Sequence, residues 1–94
     1  MPRYLIERTF PDGLDIPQND VGDKIVGTVI DNNTVEDVFW LHSYVSEDRT
    51  KTFCVYDGPT PEAIRTVATR NGLPLDTIAE VSVLTPYPYR GAGS

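Results

Sequence analysis

Val38-Phe39-Trp40-Leu41-His42-Ser43-Tyr44-Val45-Ser46 and Lys51-Thr52-Phe53-Cys54-Val55-Tyr56-Asp57 are two runs of β-forming residues, and only Glu47-Asp48-Arg49-Thr50 separates them. Val, Tyr, Phe, Trp and Thr favour extended chain. A polar connection that short cannot carry a crossover, so the two runs form an antiparallel hairpin. Upstream, Arg3 to Phe10 is strand-like and closes on the turn residues Pro11-Asp12-Gly13. A helix follows, with Asp15 as its cap, Pro17 in its first turn, and Val21, Ile25, Val26, Val29 and Ile30 recurring at three- and four-residue spacing. Gly22 and Gly27 each weaken it by about 1 kcal/mol relative to Ala, and Asn32-Asn33 ends it. Downstream, Asp57-Gly58-Pro59 turns the chain into a second helix. Thr60 caps it, Pro61 takes its first position, and Glu62 suits its positive end. Ile64, Val67 and Ala68 form its buried stripe, and Gly72 with Pro74 stops it. Thr77 to Leu84 supplies the last strand, ended by Pro86.

The order is β-α-β-β-α-β, an α+β pattern in which a hairpin joins two crossover units. It predicts a ferredoxin-like sandwich: a four-stranded antiparallel sheet with both helices on one face. At 94 residues the chain has room for one core, taken as a single domain over 1–86. Pro86-Tyr87-Pro88-Tyr89 and the Gly-, Ala- and Ser-rich end make 87–94 an extended or mobile tail.

Both helices on one face leave the other face of the sheet open, and alternation along the strands assigns its residues. Tyr4 and Ile6 suit the core, which turns Leu5, Glu7 and Thr9 outward. Phe39, Leu41 and Val45 are the apolar set of the second strand, with Ser43 among them, leaving Trp40, His42 and Tyr44 on the other side. In the last strand Val81 and Val83 point in, while Glu80, Ser82 and Leu84 point out. The third strand depends on the hairpin register. A plain four-residue turn puts Phe53 and Val55 beside His42, whereas a bulge near Thr50 puts Cys54 and Tyr56 there. The bulge is the expectation, because it buries Phe53 and Val55. The open face then gathers Trp40, Tyr44 and Tyr56 around Glu7, His42, Cys54 and Glu80, with Glu80 next to Glu7. Two adjacent carboxylates favour a shared proton or a bound cation.

Eight Lys and Arg against fourteen Asp and Glu give a net charge of −6, the reverse of what nucleic acid or an anionic membrane surface attracts. No apolar run reaches the ~18 residues of a membrane helix, and Met1 to Glu7 lack a signal-peptide core, so a cytoplasmic protein is expected. One cysteine excludes an internal disulfide, and one histidine excludes a two-histidine site within one subunit. There is no phosphate-binding glycine motif.

Trp40-Leu41-His42-Ser43-Tyr44-Val45-Ser46-Glu47-Asp48 with Phe53-Cys54-Val55-Tyr56 resembles the small ferredoxin-like nickel-binding proteins of actinobacteria. Pro2-Arg3-Tyr4-Leu5-Ile6-Glu7-Arg8, Pro61-Glu62-Ala63-Ile64-Arg65, Gly72-Leu73-Pro74 and Ile78-Ala79-Glu80-Val81 extend the likeness. The resemblance implies a homodimer that binds nickel at its surface and sequesters it. Members of that family tend to have a histidine where this chain has Val67. A nickel site here would therefore draw on His42, Glu7, Cys54 and Glu80, or on a second subunit.

The reading favoured is thus a non-enzymatic, dimeric protein for a divalent metal ion, nickel. The alternative is a small-molecule-binding dimer or enzyme, with an aromatic pocket on the open face and His42 and a carboxylate as acid and base. A closed cavity around His42 and Tyr44 would favour the alternative, and an exposed His42 at a subunit boundary the metal. A third, blander reading makes the open face an oligomer contact alone. In all three, the face is covered by a second copy, through its own open face or its Pro86 to Tyr89 arm, with Trp40 as anchor.

Overall fold

Arg3–Thr9 (β1), Asp20–Val35 (α1), Phe39–Val45 (β2), Lys51–Asp57 (β3), Pro61–Asn71 (α2) and Thr77–Val81 (β4) succeed one another in the computed structural model, which describes residues 1–89. The strands form one sheet in the order β2-β3-β1-β4, and every ladder is antiparallel. This is the ferredoxin-like α+β arrangement the sequence predicts. Of the tail expected over 87–94, Tyr87–Tyr89 make a single 3-10 turn, and 90–94 lie outside the described residues.

The second helix forms as its residues dictate. Thr60 Oγ1 accepts a hydrogen bond from the Ala63 N–H at 3.1 Å, and Pro61 opens the first turn. Gly72 closes the helix in the left-handed conformation at φ 68°, a geometry that side chains other than glycine's adopt at a cost. Ile64, Val67 and Ala68 are buried. Ile64 and Val67 join Tyr4, Ile6, Val38, Cys54 and Tyr56 in the core on one side of the sheet.

The first helix differs from the expectation at both ends. Its cap is Asn19, four residues beyond Asp15, and its side-chain oxygen accepts from the N–H groups of Val21 and Gly22 at 2.9 and 3.2 Å. Pro17 stays outside the helix with its carbonyl pressed against Gly22: a Cβ there would sit 1.6 Å from the Pro17 oxygen. Gly22 is thus a close-packing residue as well as a weak helix former. At the far end the helix runs through Asn33 to Val35. Asn33 is buried, its side-chain oxygen accepts from Asn71 Nδ2 at 3.1 Å, and its carbonyl accepts from Val38 N–H. Of its apolar positions, Val21, Ile25 and Ile30 are exposed and Val26 and Val29 are half-buried.

The hairpin register also departs from the expectation. Residues 47–50 form a plain four-residue turn, closed by Ser46 N–H donating to the Lys51 carbonyl at 2.9 Å. The Asp48 carboxylate braces that turn, accepting from the Thr50 N–H at 3.0 Å and from the Ser46 and Thr50 hydroxyls at 2.8 Å each. Those bonds hold Asp48 below the usual carboxylate range, the Thr50 N–H contributing most. A bulge does exist, but at Leu41: Trp40 opposes Tyr56, His42 opposes Val55, and Leu41 has no partner. Cys54 and Tyr56 are therefore buried on the helix side with Thr52, while Phe53 is exposed on the open side. Two buried residues of β1, Tyr4 and Ile6, oppose Tyr56 and Cys54, so the central pair of strands enforces this choice.

Candidate functional site

The open face is built by alternate residues of four strands: Leu5 and Glu7 from β1, Phe53 and Val55 from β3, Thr77 and Ala79 from β4, and His42 and Tyr44 from β2. Ahead of the bulge the alternation is reversed, so Phe39 is on the open face and Trp40 is not. Phe39, Tyr44 and Phe53 are exposed aromatics, and the His42 ring meets Tyr44 edge-on at 5.2 Å between centroids and 84° between planes.

Charged groups flank this apolar centre in pairs. Arg3 Nε and Nη2 donate to the two oxygens of Asp57 at 2.8 and 3.2 Å. That hydrogen bond, joined by the guanidinium charge, holds Asp57 below the usual carboxylate range. Lys51 Nζ lies 2.8 Å from Glu7 Oε1 and 3.7 Å from Asp76 Oδ2, and the Glu7 hydrogen bond raises the ammonium above its ordinary value. Thr9 donates to Asp76, and Thr77 donates to Glu7 Oε2 at 3.4 Å.

The four residues named from the sequence as metal ligands are not gathered by one chain. His42 is exposed on the open face, as the alternation of β2 predicts. Glu7 shares that face but is tied to Lys51, β3 runs between β1 and β2, and the register offsets Glu7 from His42 by two residues, which sets the two positions about 12 Å apart. Cys54 is on the opposite face, contrary to the expected register; its thiol is buried and donates to Thr52 Oγ1 at 3.6 Å. Glu80 is not beside Glu7 either. It opposes Tyr4 on the helix side, whereas Glu7 opposes Thr77. The cause is Ile78, the larger hydrophobe of β4, which faces Ile6 and packs on the core. That choice turns Ala79 and Val81 outward, and Val83 and Leu84 lie beyond the strand. Among the described residues, no three His, Cys, Asp or Glu side chains cluster as a metal would need.

Trp40, expected as the interface anchor, is instead half-buried on the core, with its Nε1–H donating to Ser43 Oγ at 2.9 Å. Phe53, Val55, Phe39, Lys51 and Asp57 are among the open-face residues that the strand alternation did not place there. For the β3 residues the sequence did carry the signal, since a four-residue turn gives paired positions an odd sum and His42 with Val55 obeys it, whereas Phe39 owes its face to the bulge at Leu41. A cavity with mostly apolar walls lies on the helix side, beneath α1, and neither His42 nor Tyr44 lines it. No helix of the described residues is long and apolar enough to cross a membrane.

A family model described as "Nickel responsive protein SCO4226-like" matches residues 4–81. Among solved structures, the crystal structure of SCO4226 from Streptomyces coelicolor A3(2) is similar, with a TM-score of 0.71 and 19% sequence identity. The match covers 88% of this chain and 99% of that one, and at that identity it speaks for the fold. No curated protein matches the chain significantly.

Proposed function

The chain belongs to the SCO4226-like nickel responsive protein family, and from that premise we propose that it is a non-enzymatic nickel-binding protein acting as a homodimer through its open sheet face. The observation that carries this reading is the exposed His42 beside Tyr44 on an uncovered face. Imidazole is a good ligand for nickel, but one exposed imidazole does not hold the ion firmly. The chain has a single histidine, so a second imidazole must come from a second copy. A two-fold axis beside His42 supplies it and covers Phe39, Tyr44 and Phe53 in the same step. Glu7 is the carboxylate we propose to complete the site across that axis, on leaving Lys51. Cys54 and Glu80 are on the other side of the sheet and have no part in it. Storage or sequestration of nickel is the role we infer for such a dimer. The alternative, an acid-base pair of His42 with a carboxylate in an open-face pocket, has less behind it, since the cavity beneath α1 is lined by neither His42 nor Tyr44.

Calorimetric titration of nickel into metal-free, tag-free protein tests the proposal, with light scattering on the same samples. Half a nickel ion per chain and a dimeric mass are expected. His42→Ala should abolish the binding and leave the fold intact. A wild-type affinity no tighter than about 1 mM would overturn the proposal.

A further inference from the structure

Between α1, the segment 10–16 and the helix side of the sheet lies a cavity of about 360 Å³, within the range of small-ligand pockets. The helix spans this space and leaves it unfilled. Its buried residues are Gly22 and Asn33, near its two ends, while Val26 and Val29 from its middle line the cavity. The walls are mostly apolar, with Phe10, Leu14, Ile16 and Trp40 among them.

One charged side chain is buried in that wall. Arg8 is 2% exposed; its Nη1 donates to the Pro74 carbonyl at 2.5 Å, and its guanidinium carbon is 5.9 Å from the centre of the Tyr56 ring. It makes no ion pair among the described residues. A guanidinium has five N–H donors, and burying its charge without an anion is costly. The cavity holds two other charged groups, both exposed: Arg49, which is bonded to the Leu14 carbonyl, and Asp15. Two cations face one anion there, in a chain of net charge −6.

We propose that this cavity binds a small apolar carboxylic acid, whose carboxylate pairs with Arg8 while its hydrocarbon fills the space between α1 and the sheet. An acid satisfies the buried cation, an amine would be repelled by it, and an alcohol would leave the charge uncompensated. The site is separate from the open face and does not depend on nickel.

Trp40 is the only tryptophan and lines the cavity, so its fluorescence reports occupancy. Decanoate is titrated into the metal-free full chain, with decanol as the uncharged control. A saturable change at micromolar decanoate is expected, with decanol at least about tenfold weaker. Arg8→Gln should erase the preference for the acid. Because that variant removes a buried group, Val29→Phe provides a second test: it fills the cavity without touching Arg8. Read by calorimetry, it should weaken decanoate binding at least about tenfold. No saturable signal up to about 1 mM, equal affinity for acid and alcohol, or undiminished binding in Val29→Phe would each overturn the proposal.

Discussion

Gly22→Ala and Gly27→Ala make the same chemical change in the same helix and should move stability in opposite directions. At Gly27 an added methyl meets nothing within 4 Å. The variant therefore keeps the full helix-propensity gain of about 1 kcal/mol, which raises the melting temperature by roughly 4–8 °C in a domain of this size. At Gly22 the same methyl would lie 1.6 Å from the Pro17 oxygen and 2.8 Å from its carbonyl carbon. Both atoms are backbone, so no side chain can swing away. Restoring ordinary contact requires the first turn of α1 and the Pro17 peptide to separate by about 2 Å, and such overpacking costs roughly 1–3 kcal/mol. A 1.6 Å approach to backbone belongs at the upper end of that range, so after the propensity gain the net loss is about 2 kcal/mol, or a melting temperature lower by roughly 8–16 °C. Thermal unfolding followed by circular dichroism gives both values. If the two variants shift the transition equally, or Gly22→Ala raises it, then Pro17 does not brace the helix as described. The roof of the cavity would then need another support.

Acid should weaken the fold through Asp48 and Asp57. Both carboxyls are held below their ordinary range in the folded chain, so their stabilisation is present above about pH 4 and is lost as pH falls through the lower folded values. Urea midpoints should fall between about pH 6 and about pH 3, and less steeply in Asp48→Asn; an unchanged slope would remove Asp48 from the account. Tyr44→Ser should shift the proposed dimer toward the 10.5 kDa monomer in light scattering, its dissociation constant rising tenfold or more. Trp40→Phe should leave the mass unaltered, and the reverse pattern would contradict the assignment of faces. Native Cys54 should resist a maleimide that labels it rapidly in urea, because its thiol is buried; fast native labelling would place it at the surface after all.

Local chemistry with a single reading was legible from the sequence. Thr60-Pro61 and Gly72 bound a helix in one way, and Tyr4 and Ile6 have no better face than the core. Where two local solutions competed, tertiary contacts decided. Asp15 with Pro17 reads locally as a helix start, whereas the helix is capped at Asn19 and the Pro17 carbonyl packs against Gly22. Phe53 and Tyr56 are both plausible core residues; pairing of Tyr56 with Tyr4 settles which is buried, a fact no window on β3 contains. Ile78 outcompetes Val81 for the same reason. The site inherited these errors. His42 and Glu7 were placed on the correct face, while Cys54 and Glu80 sat on strands whose phase depended on distant partners.

Leu41 changes how relatives of this protein should be compared. Because it is the unpaired residue between Trp40 and His42, the chain without it would keep Trp40 opposite Tyr56 and His42 opposite Val55. A length difference between homologues therefore belongs at this point and disturbs no ladder pair. Aligning straight through β2 would instead equate an inward residue of one protein with an outward residue of the other, for half the strand. At identities near 19%, where gap placement decides which columns correspond, one misplaced gap would move a histidine from the surface column to the core column. Whether a relative has an equivalent of His42 is thus settled by where its bulge falls before any side chain is compared.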